Sequence, residues 1–235
     1  MLLILGKPQD YIPYLVLLAI SITTYFLLLY SGALIDPGIA EISSLIVGLA
    51  ASLVCVVIKY ERPSNGRIMR LSYGTTSALA LAAAVSTLVS LSAVSYFESH
   101  LLSHSTATPP PQLVTILLIL TSFLSQFGGL VLITFVEYLI ALSLLVDLSL
   151  SNLFQVNSIA YMVYILYLIM YSIPLPQDML PVVGKGTEVL AVSLYALGFR
   201  LISKREVSNL KILVATVMPN LLLILFTQVA KGFKI

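Results

Sequence analysis

Charge is what this sequence most lacks. Asp, Glu, Lys and Arg make up 9% of its 235 residues, against about 25% in a soluble domain. Hydrophobic residues make up 59%, and the mean hydropathy is +1.05. Such a chain cannot cover a water-facing surface, which excludes both a soluble enzyme and a disordered chain. A net charge of +2 is too small for a nucleic-acid footprint, which needs a clustered basic face. With a single cysteine, Cys55, no internal disulfide can form. Its setting, Leu53-Val54-Cys55-Val56-Val57, reads as that of a small buried hydrophobe. Two histidines, His100 and His104, lie four apart beside Glu98 and would share a helix face. They are weak metal candidates, because catalytic zinc needs a third ligand. A two-haem cytochrome is excluded, and no cofactor is expected.

Hydrolase motifs are missing too. There is no Gly-x-Gly-Asp pair, no His-Glu-x-x-His and no Gly-x-Ser-Gly with a membrane histidine. Arg62-Pro63 lacks the Ser-Gly-His that a lipid phosphatase would add. Gly184-Lys185-Gly186-Thr187 is not a P-loop, since Met179 stands where the first glycine belongs.

What is present is long apolar runs, so the expected fold is an all-α, polytopic transmembrane bundle forming one membrane domain over residues 1–235. A span needs about 20 apolar residues. The first is expected over residues 12–34, retained rather than cleaved, because residues 6–10 interrupt any signal-like start. Asp36-Pro37-Gly38 makes a reversal in which Asp36 can cap and Pro37 can open the second span, residues 38–58. Glu41 is placed near the membrane surface. The segment from Lys59 to Arg70 holds four cations against one anion and reads as cytoplasmic, with the N-terminus on the same side. Residues 98–112 carry no Lys or Arg and suit the outer side.

Residues 113–150 are the ambiguous stretch. One helix of that length would reach about 57 Å against a hydrocarbon core of about 30 Å. Arg200, Lys204, Arg205 and Lys211 form a second basic cluster. Placing it on the same side as residues 59–70 requires an even number of intervening spans. That favours one long span and seven in total; eight is the alternative. Residues 174–187 read as an external loop, with Glu188 starting the next span.

Several groups could carry function. Glu137 stands in Thr134-Phe135-Val136-Glu137-Tyr138, apolar on both sides, and reads as a proton or cation site or as a side chain reaching the headgroups. Gln126 with Gly128 and Gly129 could kink a helix or pack closely. Pro219 removes a helix hydrogen bond beside Asn220 and could break its helix around a ligand. Tyr161, Tyr164, Tyr167 and Tyr171 fall on one helix face, as packing or as a groove for a quinone, lipid or aromatic substrate. Gly74, Ala78, Ala82 and Ser86 recur every four residues, and Gly48 and Ser52 offer a matching small face. That pattern predicts a tight hairpin of the second and third spans.

The leading expectation is a non-enzymatic accessory or structural subunit of a membrane complex, in the cell membrane. The alternative is a small secondary transporter or channel component with an intramembrane carboxylate, and the third is a lipid- or quinone-handling enzyme. Expected partners are the lipid bilayer and other membrane proteins or further copies of this chain. The transport reading requires Glu137, Gln126, Gly128, Gly129, Pro219 and Asn220 to converge on one polar cavity.

Overall fold

In a computed structural model of the chain, residues 11–31, 36–58, 74–104, 112–173, 176, 178–204 and 206–232 are described, without the side chains of residues 58, 97–104, 113, 170 and 230–232. The described residues form helices α1 (Ile12–Tyr30), α2 (Pro37–Ile58), α3 (Thr75–His104), α4 (Gln112–Ser143), α5 (Leu150–Tyr161), α6 (Leu166–Ser172), α7 (Met179–Ile202) and α8 (Asn209–Gly232). A 3₁₀ turn, Met162–Ile165, joins α5 to α6, so these two make one span. Seven spans are long and apolar enough to cross a membrane, and the protein is an all-α, multi-pass membrane bundle.

Local chemistry sets the helix ends. Pro13 lies in the opening turn of α1, where its missing N–H costs nothing. The Asp36 carboxylate accepts the Gly38 N–H at 2.7 Å and caps α2. Ser149 caps α5 by accepting the Asn152 N–H. α4 closes with a Schellman pair, Val146 N–H to the Ala141 carbonyl and Leu145 N–H to the Leu142 carbonyl. The left-handed position there is filled by Leu145, at φ 58°, where glycine is usual.

The ambiguous stretch is one helix of 32 residues, which must tilt or project beyond the hydrocarbon. Two expectations need correction. Residues 174–187 are not all loop: α7 begins at Met179 and carries Lys185 and Gly186 inside it. The polar residues that suggested a loop are paired there, as described below. The second and third spans do not form a hairpin. α2 packs on α1, α7 and α8, while α3 packs on α4, α5 and α6. Gly48 serves the α1 contact, since an added Cβ would lie 1.9 Å from Ser21 Oγ and 3.0 Å from the Leu17 carbonyl oxygen. Ser52 donates to the Gly48 carbonyl within α2. Ala78, Ala82 and Ser86 are fully buried. They belong to a core shared with α5 and α7, through Phe154, Tyr161, Ala191 and Tyr195. Gly74 lies outside that face: it precedes α3, is exposed, and accepts the Ala78 N–H.

α7 is central, packing against α1, α2, α5, α6 and α8. α4 is peripheral, and turns Ile116, Leu117, Leu120, Leu124, Leu132 and Leu139 outward. Those side chains suit lipid. The loop from Lys59 to Arg70, Arg205 and the side chains of His100 and His104 lie outside the described residues.

Candidate functional site: an intramembrane cavity

A cavity of about 370 Å³ lies among α3, α4, α5–α6, α7 and α8. It occupies the half of the bundle where α7 begins and α8 ends. Its long wall is the tyrosine row. Tyr161, Tyr164, Tyr167 and Tyr171 all line it, with successive ring centroids 4.8, 5.7 and 6.0 Å apart. The sequence reading put them on a regular α-helix. The 3₁₀ turn refines this, because 3₁₀ geometry aligns side chains three apart. Tyr161, Tyr164 and Tyr167 therefore stand in line across the turn, and the final step of four follows in α6. Tyr167 donates to the Gly184 carbonyl at 3.2 Å. A Cβ on Gly184 would lie 3.1 Å from that hydroxyl, so glycine lets the row approach α7. Ser86 donates to the Tyr161 hydroxyl at 3.2 Å from α3.

One end of the cavity is charged. Lys185 and Glu188 line it from α7. The Lys185 ammonium lies 2.7 Å from Glu188 and 3.1 Å from Glu41 on α2. Glu41, near the start of α2, is fully buried within the bundle. Neither of its oxygens makes a hydrogen bond of good geometry, and its polar neighbours among the described residues are the Lys185 ammonium and the Glu188 carboxyl. Tyr25 adds a further tie to α7 by donating to the Val182 carbonyl at 2.6 Å.

At the other end, Asn220 lines the wall and backs onto Glu137. Glu137 is fully buried and does not reach the headgroups. Asn157 Nδ2 donates to its Oε2 at 2.6 Å, and Asn220 Nδ2 donates to its Oε1 at 3.2 Å. Asn157 Nδ2 also donates to Thr134 Oγ1 at 3.0 Å. Among the described residues, Glu137 has no cationic partner. Glu137 thus joins α4, α5 and α8 without itself facing the cavity.

Gln126 and Gly129 line the cavity from α4, beside Ser125, Leu130 and Ile133. Gly128 does not line it and is exposed on the outer side. α4 runs on as helix through the glycine pair, which does not pack against a neighbour, for an added Cβ at either position meets nothing within 4 Å. What Gly129 leaves is open space in the wall. α8 is not a broken helix either. It runs through Pro219, which is buried, and the Asn220 side chain donates to the Thr216 carbonyl at 2.7 Å.

Sequence reasoning missed Glu41, Asn157, Lys185, Glu188 and Tyr195 as members of this site. Lys185 and Glu188 stood three apart, a spacing that pairs on a helix, but the surrounding glycines had been read as a loop. No group of three or more His, Cys, Asp or Glu that could hold a metal is present among the described residues. No family model matches the chain, and neither a curated protein nor a solved structure matches it.

Proposed function

We propose that this protein is a small permease-type transporter whose solute occupies the cavity beside the tyrosine row. One observation carries the reading: of the six residues expected to converge, Gln126, Gly129 and Asn220 meet in one cavity and Asn220 connects it directly to the buried Glu137, while Gly128 and Pro219 do not line it. Buried polar groups inside a membrane bundle are costly, and they concentrate where a solute or proton must be handled. An accessory subunit would have no need of a cavity with charge at one end and a carboxyl at the other. Glu137 is the residue whose proton occupancy would be linked to solute occupancy, through Asn220. The tyrosine row serves as cavity wall.

The proposed orientation places the N-terminus and residues 59–70 in the cytoplasm of a cell membrane. With seven spans the two chain ends then face opposite sides, and the charged end of the cavity faces outward. Self-association or a membrane-protein partner is compatible with this reading, and α4 is the helix with the most outward apolar surface.

The test is electrogenic transport by the purified chain in liposomes adsorbed to a solid-supported membrane. Concentration jumps of amines, amino acids, carboxylates, sugars and alkali cations would be applied in turn. At least one class should give a transient current, and Glu137→Gln should abolish or slow it. Monodisperse protein that gives no current with any class, with or without a pH gradient, would overturn the proposal.

A further inference from the structure

The solute class can be argued from what the cavity offers and what it has already used. Its lining is rich in side-chain oxygen atoms. Tyr164 and Tyr195 both line the cavity, and among the described residues neither hydroxyl makes a hydrogen bond. Tyr195 sits deep in that wall, only 3% exposed. Asn220 uses its amide nitrogen on Glu137 and on the Thr216 carbonyl. Its Oδ1 is left over in the same wall. Glu188 adds a carboxylate that shares its only ammonium with Glu41.

Charge points the same way. At the charged end two carboxyl groups, Glu188 in the wall and Glu41 behind it, share Lys185, the one described cation bordering the cavity. That lysine is already held by two carboxylates. An anionic solute would therefore meet no free cation. A neutral sugar would bring no charge to the two carboxyls that share one ammonium. A cation bearing N–H groups would supply both the missing charge and the missing donors, and hydrogen bonds that involve a charged group are the strong ones. The aromatic wall adds favourable surface for the attached carbon skeleton and for the cation itself.

We infer that the cavity binds a small organic ammonium ion, a primary or secondary amine in its protonated form, with its N–H groups shared among Glu188, Asn220 and the hydroxyls of Tyr164 and Tyr195. The cavity lies near the small end of ligand sites, which run from about 300 to 1,000 Å³, and it suits a single-ring or short-chain amine. This inference rests on the transport reading and names its substrate class.

The experiment uses the full chain in detergent and in liposomes, with phenethylammonium, butylammonium, tetramethylammonium, acetate, glucose and sodium as probes. Binding is read as a concentration-dependent rise in melting temperature, and transport as current. The expected result is binding and current with the two primary ammonium ions alone. Glu188→Gln should weaken that binding about tenfold or more, as loss of a charge-assisted bond does. Tyr164→Phe keeps the ring and loses only the unpartnered hydroxyl, so it tests the same point without disturbing the Lys185 pairing; about threefold to tenfold weakening is expected. Equal binding of tetramethylammonium, which has no N–H, would overturn the hydrogen-bonding assignment. Current with acetate, glucose or sodium but not with the amines would overturn the ammonium inference and leave the transport reading standing. Silence from every probe, and from the wider solute set above, would overturn both.

Discussion

Replacing Lys185 with Met removes the ammonium but keeps a long apolar side chain. The consequence follows from the three groups involved. Glu41 is fully buried, and Lys185 is its one cationic partner among the described residues. Lys185 has 21% of its side chain exposed, so little water reaches the pair. Glu188, at 30%, retains some solvent. Orphaning one member of a buried pair costs about 3–5 kcal/mol. At about 2–4 °C per kcal/mol for a chain of this size, Lys185→Met should melt about 6–20 °C below wild type. Glu41→Gln should be milder, about 1 kcal/mol, because Lys185 keeps Glu188. The double variant Glu41→Gln/Lys185→Met should recover much of the loss, since no buried charge is then left alone. Melting can be followed in detergent with a thiol-reactive dye, because Cys55 is the sole cysteine and is half-buried in α2. Lys185→Met melting within about 2 °C of wild type, or a double variant no better than the lysine single, would refute the claim that this pair holds α2 to α7.

Three further outcomes follow from the same geometry. Asn157→Ala strips one donor from Glu137 and should cost about 1–3 kcal/mol, seen as a lower melting temperature, whereas a wild-type melt would mean that Glu137 does not depend on that amide. Gly48→Ala presses a methyl group onto the Leu17 carbonyl and Ser21, and should destabilise by about 1–3 kcal/mol in the same assay. Leu145→Gly relieves the left-handed residue at the end of α4 and should stabilise by about 1 kcal/mol, because Leu145 is 88% exposed and little packing is lost.

The spans were legible because lipid demands long apolar runs and basic loops break them. The single long α4 was readable from charge arithmetic alone, since an extra span would have moved the second basic cluster to the other side. Helix pairing was not legible. The small-residue faces of α2 and α3 were both real, but each met a different partner, and spacing alone does not say which helix lies opposite. Gly48 needed the Leu17 backbone and Ala82 needed α5. The polar site was half legible. Glu137 stood out because it had apolar neighbours on both sides. Asn157 did not, because a neutral amide in a mixed segment carries no signal until its partner is known. The run of residues 184–188 misled for a physical reason: glycines and charges signal a loop in water, but inside a bundle Gly184 admits Tyr167, Gly186 lies against Tyr25, and Lys185 pairs with Glu188 along α7 and across to Glu41 on α2. The tyrosine spacing of three, three and four held the trace of the 3₁₀ turn, which a reading in α-helical periods passes over.

The central claim is that the cavity is a polar, water-reachable space inside the bundle, and adjacent glycines on α4 offer a direct test. Gly129 lines the cavity and Gly128 faces outward, and a side chain at either meets nothing within 4 Å. In a Cys55→Ser background, Gly129→Cys and Gly128→Cys would be treated with a small charged thiosulfonate in liposomes. Only the thiolate reacts, and a thiol in lipid does not ionise. The account predicts rapid labelling of Gly129→Cys, slowed by phenethylammonium, and little labelling of Gly128→Cys. Labelling of Gly128→Cys with an inert Gly129→Cys, or neither position reacting in folded protein, would contradict it.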